Sequence, residues 1–331
     1  MTGERPVSSP DPALRTETAA SQPRRHWQPF GPLLPERLRR QRRPRLWQEI
    51  AFILLSYWVY SLIRNAVPTH EKPAQEHARS VLDFEKLLRI DIEHTLNRLV
   101  DGAQWGGWHW LANVSDYYYA VMHFIIVIAV LVWVYVKHPL NYRSVRTALY
   151  AANGLAAIGF WFYPLAPPRL MSSEGFIDTV VKYHTWGSWG SGDVAKVSNQ
   201  FAAMPSLHIG WSLWAGITLF MLSRRWWLRT LGLAYPCLTF FVIIGTANHF
   251  VLDAAGGIVV LVLGFFTQRV LTGRPAYTPG AEFVAVAGTN PDSVERLART
   301  DSHGRAVIQL PVEKEPVADP PPGPPPPRPS G

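Results

Sequence analysis

Six apolar segments, separated by shorter polar stretches, limit what this chain can fold into. They span approximately residues 47–67, 117–136, 148–165, 207–222, 230–246 and 250–267. A helix that crosses a bilayer needs about 20 mostly apolar residues, with about 17 as the lower limit. The second segment meets this length, whereas the fourth does so only if it includes Pro205 and Ser206. The pattern predicts an all-α fold: an integral membrane bundle of about six transmembrane helices.

The two ends of the chain differ from this middle part. Residues 1–45 are rich in Arg, Pro and Ser without apolar periodicity, and residues 273–331 end in the Pro-rich run 320–327. Such compositions favour disorder. We therefore predict a membrane domain over 46–272 between two disordered cytoplasmic tails. No cleavable signal precedes the first segment, which is expected to act as an uncleaved anchor.

The distribution of Lys and Arg predicts the orientation. If the N-terminus lies inside, the basic N-terminal tail and every short inside turn carry basic residues, whereas the outside loop 68–110 mixes basic with acidic residues. This agrees with the positive-inside rule. The expected location is the cell membrane, multi-pass, with both termini cytoplasmic. The net charge of +8 is then explained without a nucleic-acid partner.

The loop 68–110 contains an amphipathic stretch. Val81, Phe84, Leu87, Leu88 and Ile92 recur near helical spacing with charges between them, which indicates a helix. It is expected either to lie on the outer membrane surface, bordering a path for lipid, or to pack on the bundle.

The predicted topology places three polar clusters at the outer ends of the spans. They are 166–169 after the third span, 204–208 before the fourth, and 246–253 between the fifth and sixth. Because all three fall on one side of the membrane, they are expected to form one site.

His249 and Asp253 carry the strongest chemical signal. Residues four apart share a face of a helix, so the carboxylate can hold one ring nitrogen and leave the other as a nucleophile. Ionisable pairs inside apolar spans are costly and usually functional. The alternative is a structural pair that ties two helices together.

The other two clusters provide candidate partners. Ser206 and His208 follow Pro205, which suits the first turn of a helix, where unpaired N–H groups bind anions. His208 is then placed to protonate a leaving alkoxide, although a lone His is more often a plain hydrogen-bonding residue. Arg169 follows two prolines and can clamp phosphate oxygens; the alternative is an anchor for lipid headgroups.

Pro205-Ser206-x-His208 followed by His249-x-x-x-Asp253 resembles the type 2 phosphatidic acid phosphatase superfamily. The resemblance implies that His249 is the nucleophile, that Asp253 orients it, and that His208 is the general acid. It also implies that Arg169, Ser206 and Asn248 bind the substrate, and that neither a metal ion nor a cofactor is needed. The stretch 163–169 and Asn248-His249 look similar to the branch of inositol phosphorylceramide synthases (inositolphosphotransferases) in particular.

The chain departs from the family pattern at three positions. Phe162 stands where the family has Lys, Leu170 where it has Pro, and Ile243 where it has Arg. The cationic part of the site is therefore thinner, and Lys182 or Lys196 is expected to compensate. The loop 171–199, with His184, Trp186 and Trp189, is a candidate for substrate recognition, or the Trp residues are interfacial anchors. Residues 116–119 and His123 either line an acceptor pocket or form part of an aromatic belt.

These features predict a membrane-embedded lipid phosphatase or phosphotransferase that acts through a phosphohistidine. Its substrate is expected to be a lipid phosphate or phospholipid at the extracytoplasmic face, and a phosphotransferase of this kind would transfer a phospho-polyol headgroup. A transporter or proton-relay protein that uses His249 and Asp253 is the alternative from a different class. Such a protein would be expected to carry polar residues deep in several spans, whereas here they cluster at the outer ends. An oxidative vanadate enzyme is a weaker third option.

Overall fold

The computed structural model describes residues 33–35, 44–66, 71–102, 109–185, 200–277, 298–300 and 306–308. The helices in these ranges are α1 (Leu46–Ala66), α2 (Glu71–Leu88), α3 (Glu93–Asp101), α4 (His109–Tyr117), α5 (His123–Lys137), α6 (Pro139–Phe162), α7 (Thr179–Tyr183), α8 (Leu207–Leu222), α9 (Trp226–Gly245) and α10 (Val251–Thr272). A π-helical turn, Tyr118–Met122, joins α4 to α5. Two short strands, β1 (Ala298–Thr300) and β2 (Ala306–Ile308), pair antiparallel.

The prediction of an all-helical membrane fold is confirmed. Three helices of the described chain are long and apolar enough to cross a membrane: the continuous helix His109–Lys137, together with α9 and α10. Two shorter apolar helices, Leu46–Val59 and α8, accompany them. The count of six spans stays a prediction. Helix α8 begins at Leu207, so Pro205 and Ser206 do not lengthen it as the sequence suggested, and its 16 residues extend only about 24 Å at 1.5 Å per residue.

The core of the bundle lies between α5, α6, α8 and α10. Trp214 of α8 is fully buried and donates a hydrogen bond from its indole nitrogen to the Val145 carbonyl oxygen of α6, at 3.0 Å. The outward surfaces are apolar as well: Val262 of α10 is 60% exposed and Leu54 of α1 is 63% exposed. Apolar side chains on both the inner and the outer faces are what a bilayer environment requires.

The loop before the second span forms two helices, and both pack on the bundle. Helix α2 buries Ala74, Ala78, Val81, Leu82 and Glu85. Of the apolar residues that predicted this helix, Val81 is buried, whereas Phe84, Leu87, Leu88 and Ile92 are 42–76% exposed. The helix therefore packs on the bundle through one face and also presents the apolar surface expected of an interfacial helix.

Both predicted tails lie mostly outside the described residues. After α10 the chain stays packed past the predicted boundary, because the hydroxyl groups of Tyr277 and Thr218 are hydrogen-bonded at 3.0 Å. The strands β1 and β2 also fall within the segment that was expected to be extended.

Candidate active site

The three polar clusters meet at one end of the bundle, where α6 and α9 end and α8 and α10 begin. The Arg169 backbone N–H donates to the Ala247 carbonyl oxygen at 2.8 Å, and the Ser206 N–H donates to the Asp253 carbonyl oxygen at 2.9 Å. The structure therefore joins segments that lie 78 positions apart (Arg169 to Ala247) and 47 positions apart (Ser206 to Asp253) in the sequence.

His249 and Asp253 are in contact, but not in the way their spacing suggested. Helix α10 begins at Val251 with Phe250 as its N-cap, so His249 precedes the helix and does not share a helical face with Asp253. The two meet because the chain turns back over the helix end: His249 Nδ1 lies 3.2 Å from Asp253 Oδ2. The same carboxylate oxygen accepts the Phe250 N–H at 3.0 Å. Both side chains are buried, so the imidazole is held in one orientation.

The second nitrogen of His249 faces His208. His249 Nε2 lies 3.3 Å from His208 Nδ1. If Asp253 accepts a hydrogen bond from the Nδ1–H group of His249, then Nε2 carries a lone pair and the facing His208 nitrogen must be the donor. This assignment leaves a nucleophilic nitrogen and a protonated nitrogen side by side.

The start of the second span packs directly on His208. The rings of Tyr119 and His208 stack with centroids 4.3 Å apart, and the His123 ring meets the edge of His208 at 4.5 Å. Both Tyr119 and His123 lie at the π-helical turn, a feature frequently found at functional sites. The neighbouring Asp116 has a different role, because it accepts hydrogen bonds from the hydroxyl groups of Thr179 and Thr185.

Ser206, two positions before His208, provides a hydroxyl group that is available to a ligand. It is the N-cap of α8, is fully buried, and its Oγ has no hydrogen-bond partner among the described residues. Pro205 lies before the cap, so it does not occupy the first helical turn as predicted. Ser206, Leu207 and His208 nevertheless lie at the N-terminus of a helix, as the sequence argument required.

Close approach of two helices positions Ser206. A Cβ atom at Gly257 of α10 would lie 2.3 Å from the Ser206 carbonyl oxygen. Only glycine allows this contact, which is typical of small residues between membrane helices. The start of α8 therefore packs against α10 at Gly257, about one helical turn after Asp253.

Arg169 lies in the site and is held by three side chains. Its Nε donates to Asn248 Oδ1, Nη1 to Asp178 Oδ2 and Nη2 to Gln200 Oε1, each at 3.0 Å. Asn248 is fixed in turn by donating to Thr246 Oγ1 at 2.9 Å. The guanidinium is therefore pre-oriented against the side chain of Asn248, the residue before His249. Nothing in the sequence pattern pointed to Asp178 or Gln200 as its partners.

The residues expected to supply additional positive charge lie elsewhere. Lys182 donates to Asp101 Oδ1 at 2.5 Å, and this hydrogen bond raises the pKa of Lys182. It therefore ties α7 to the end of α3 and takes no part in the hydrogen bonds of Arg169. Lys196, Trp186 and Trp189 lie outside the described residues, and His184 is exposed at the end of α7. Phe162 is 78% exposed and Ile243 is fully buried.

Two further acids were missed by the sequence analysis. Glu85 and Glu93 were treated as surface charges between the apolar positions of the loop 68–110. Both are fully buried, and they accept hydrogen bonds from the Leu252 and Val251 N–H groups at the start of α10. Their charge alone gave no signal, because acidic residues in an amphipathic helix usually face water.

The fold and the site together define a membrane-bound helical protein with a buried His–His–Asp cluster and an adjacent arginine. A family model described as the PAP2 superfamily matches residues 79–267, which is more than half of the chain. The chain therefore belongs to the PAP2 superfamily, and this membership supports a membrane phosphatase-type function. No curated protein and no solved structure matches the chain significantly.

Proposed function

We propose that the protein is a lipid phosphatase or phosphotransferase that works through a phosphohistidine on His249. The observation that carries this proposal is the alignment of Asp253, His249 and His208: Oδ2 to Nδ1 at 3.2 Å, and Nε2 to Nδ1 at 3.3 Å. An oriented, neutral imidazole beside a protonated one is the arrangement that nucleophilic catalysis with general acid assistance requires.

In the first step, the lone pair on His249 Nε2 attacks phosphorus and the bond from phosphorus to the ester oxygen breaks. The departing alkoxide takes the proton from His208 Nδ1. Asp253 stabilises the positive charge that develops on the His249 ring, because its carboxylate is within hydrogen-bond distance of Nδ1. The products are an alcohol and a phosphohistidine.

In the second step, water or an alcohol attacks the phosphohistidine. His208, now neutral, takes a proton from the attacking oxygen while the bond from phosphorus to Nε2 breaks. This returns both histidines to their starting states. The acceptor decides whether the overall reaction is hydrolysis or transfer.

Phosphate oxygens are expected to bind at the start of α8. The buried Ser206 hydroxyl has no hydrogen-bond partner among the described residues and lies at the N-terminus of α8, the end of a helix that favours anions. Arg169 is held by Asn248, the residue before His249. The first turn of α10 is a poorer candidate, because its N–H groups at Phe250, Val251 and Leu252 already donate to carboxylates.

The phosphoryl group must enter between the two histidines. Since 3.3 Å separates their nitrogens, His208 has to turn aside when substrate binds. His208 is only partly buried, whereas His249 is locked by Asp253. The mobile member of the pair is therefore the proposed acid, and the fixed member is the proposed nucleophile.

Two apolar cavities near the site support a lipid substrate. One of about 700 Å³ is lined by residues of α1, α5, α6 and α8, including Phe124 and Trp211, whose rings contact His123. Another of about 580 Å³ lies between α2 and Pro205. Cavities of this size are typical of small-molecule sites, and the hydrocarbon chain of a lipid phosphate is the ligand that suits such apolar walls.

We further propose that the site lies at the extracytoplasmic face and that the enzyme transfers a phospho-polyol headgroup to an alcohol. It rests on the distribution of basic residues in the sequence and on the resemblance of the stretch 163–169 and Asn248-His249 to inositolphosphotransferases. A polyol acceptor would attack at the same phosphorus as water.

The test uses the full chain purified in detergent with a long-chain lipid phosphate and, separately, a phospholipid with an added polyol. We expect release of phosphate that is abolished by His249→Ala and unchanged by His109→Ala, a control because His109 is exposed and outside the cluster. Headgroup transfer from the phospholipid would appear as a phosphodiester that joins its headgroup to the added polyol, whereas transfer from the lipid phosphate would give a phosphorylated polyol. Activity that survives His249→Ala would end the proposal, and full activity in a chelator would agree with a metal-independent reaction.

A further inference from the structure

Two buried carboxyl groups cap the helix that follows the proposed nucleophile. Glu85 Oε1 accepts the Leu252 N–H at 2.7 Å, and Glu93 Oε1 accepts the Val251 N–H at 2.9 Å. Asp253 Oδ2 accepts the preceding Phe250 N–H at 3.0 Å. Three successive N–H groups at the start of α10 therefore each have a carboxyl partner, from three different helices.

Three carboxylates this close together cannot all be ionised. A helix N-terminus carries roughly half a positive charge, which does not offset three negative ones in a buried environment. Both Glu85 and Glu93 are fully buried, and the Oε2 atom of each has no hydrogen-bond partner among the described residues. The simplest arrangement is one proton shared between the two glutamates.

The electrostatic environment agrees with this arrangement. Burial, the neighbouring carboxyl group of Glu93 and the charge of Asp253 raise the pKa of Glu85 to about 9, despite the opposing effect of the Leu252 N–H. Glu93 on α3 and Asp253 on α10 are the titratable groups that face it. Burial lowers the pKa of His94, the residue next to Glu93.

We propose that Glu85 and Glu93 form a carboxylic acid–carboxylate pair that holds one proton and positions His249 through the first turn of α10. The proposal rests on the proposed function only in naming His249 as the group that is positioned. The pair touches the backbone of Val251 and Leu252 and not the substrate, so its members are positioning residues. Retaining the proton also limits the negative charge near the phosphate.

The proton has a consequence for stability that does not depend on catalysis. The folded chain keeps a proton on Glu85 up to a pH of about 9, whereas an unfolded chain releases it near the ordinary value of 4.5. Between these values the folded state binds more protons than the unfolded state, so the free energy of unfolding falls as the pH rises. Glu85→Gln removes the titration while keeping an oxygen for the Leu252 N–H and a donor for Glu93.

The experiment measures thermal unfolding of the full chain in detergent from pH 5 to 9 for the wild type, Glu85→Gln and Asp83→Asn. Asp83 is a matched control because it is an exposed acid on the same helix. We expect a melting temperature that falls with pH in the wild type and in Asp83→Asn, and a flatter dependence in Glu85→Gln. The same slope in all three proteins would overturn the shared proton.

Activity tests the positioning role. Glu85→Gln should keep kcat within about threefold of the wild type below pH 8 and lose less of it above pH 8, whereas Glu85→Ala should lower kcat on the order of 10- to 100-fold through displacement of His249. Equal losses in both variants would contradict the hydrogen-bonding role. If the wild type releases no phosphate at all, the proposed function fails while the unfolding experiment still tests the pair.

Discussion

Gly257→Ala should disrupt the site without replacing any residue of the proposed chemistry. A Cβ at this position would lie 2.3 Å from the Ser206 carbonyl oxygen and 3.3 Å from Ile209 Cβ. Ordinary contacts begin at 3.4 Å, so α8 and α10 must separate by about 1 Å, and a displacement of this size at a catalytic site costs on the order of 100-fold in rate. Overpacking of this kind also costs about 1–3 kcal/mol of unfolding free energy, partly offset by about 1 kcal/mol from the better helix propensity of Ala.

The assay is the initial rate of phosphate release, with melting temperatures measured on the same preparations. Gly154→Ala is the matched control, because a Cβ there meets nothing within 4 Å. We expect Gly154→Ala to keep full activity and to be as stable as the wild type, or more stable by about 0.5–1 kcal/mol. Wild-type activity in Gly257→Ala would refute the argument that the seating of Ser206 against α10 sets the site geometry.

Three further variants test separate parts of the site. Arg169→Lys should lose activity nearly as fully as Arg169→Ala, on the order of 100-fold, because an ammonium cannot keep the three hydrogen bonds of the guanidinium. Wild-type kcat/KM in the Lys variant, measured by steady-state kinetics, would contradict this. Ser206→Ala should raise KM for lipid phosphate by about 10-fold with little change in melting temperature, because the Oγ has no partner to lose among the described residues; an unchanged KM would exclude the hydroxyl from phosphate binding. Gly154→Phe should narrow the cavity of about 700 Å³ and lower kcat/KM for long-chain more than for short-chain lipid phosphates. Val262→Phe, at an exposed position on α10, should change kcat/KM for neither. Equal effects of Gly154→Phe on both chain lengths would show that the cavity does not bind the lipid chain.

Local patterns in the sequence predicted the elements that depend on local interactions. The segment 207–222 is helical over the predicted residues, and the amphipathic stretch around Val81 is helical as expected. Three clusters on one side of a predicted bundle also meet in the structure, because helices that cross back and forth return polar ends to the same face. Periodicity and topology were enough for these features.

Features that depend on tertiary contacts could not be read from the sequence. The i, i+4 spacing of His249 and Asp253 suggested one helical face, yet their contact arises at a helix cap, where the chain turns before Val251. Ala247 adopts a positive φ of 52° in that turn, a conformation that apolar residues rarely adopt. Glu85 lies 167 positions from its hydrogen-bond partner Leu252, and no local pattern marks such a pair.

The most direct test of the central claim is to identify where the phosphoryl group is attached during turnover. The purified chain is mixed with a lipid phosphate, quenched in alkali, which preserves phosphohistidine, and analysed by peptide mass spectrometry. Phosphate on His249 that is absent in His249→Asn is the expected result. His208→Ala lacks both the acid of the first step and the base of the second, so it should turn over slowly and carry phosphate only on His249. Phosphate on His208 of the wild type would contradict the account, as would rapid turnover with no phosphorylated histidine in the wild type or in His208→Ala.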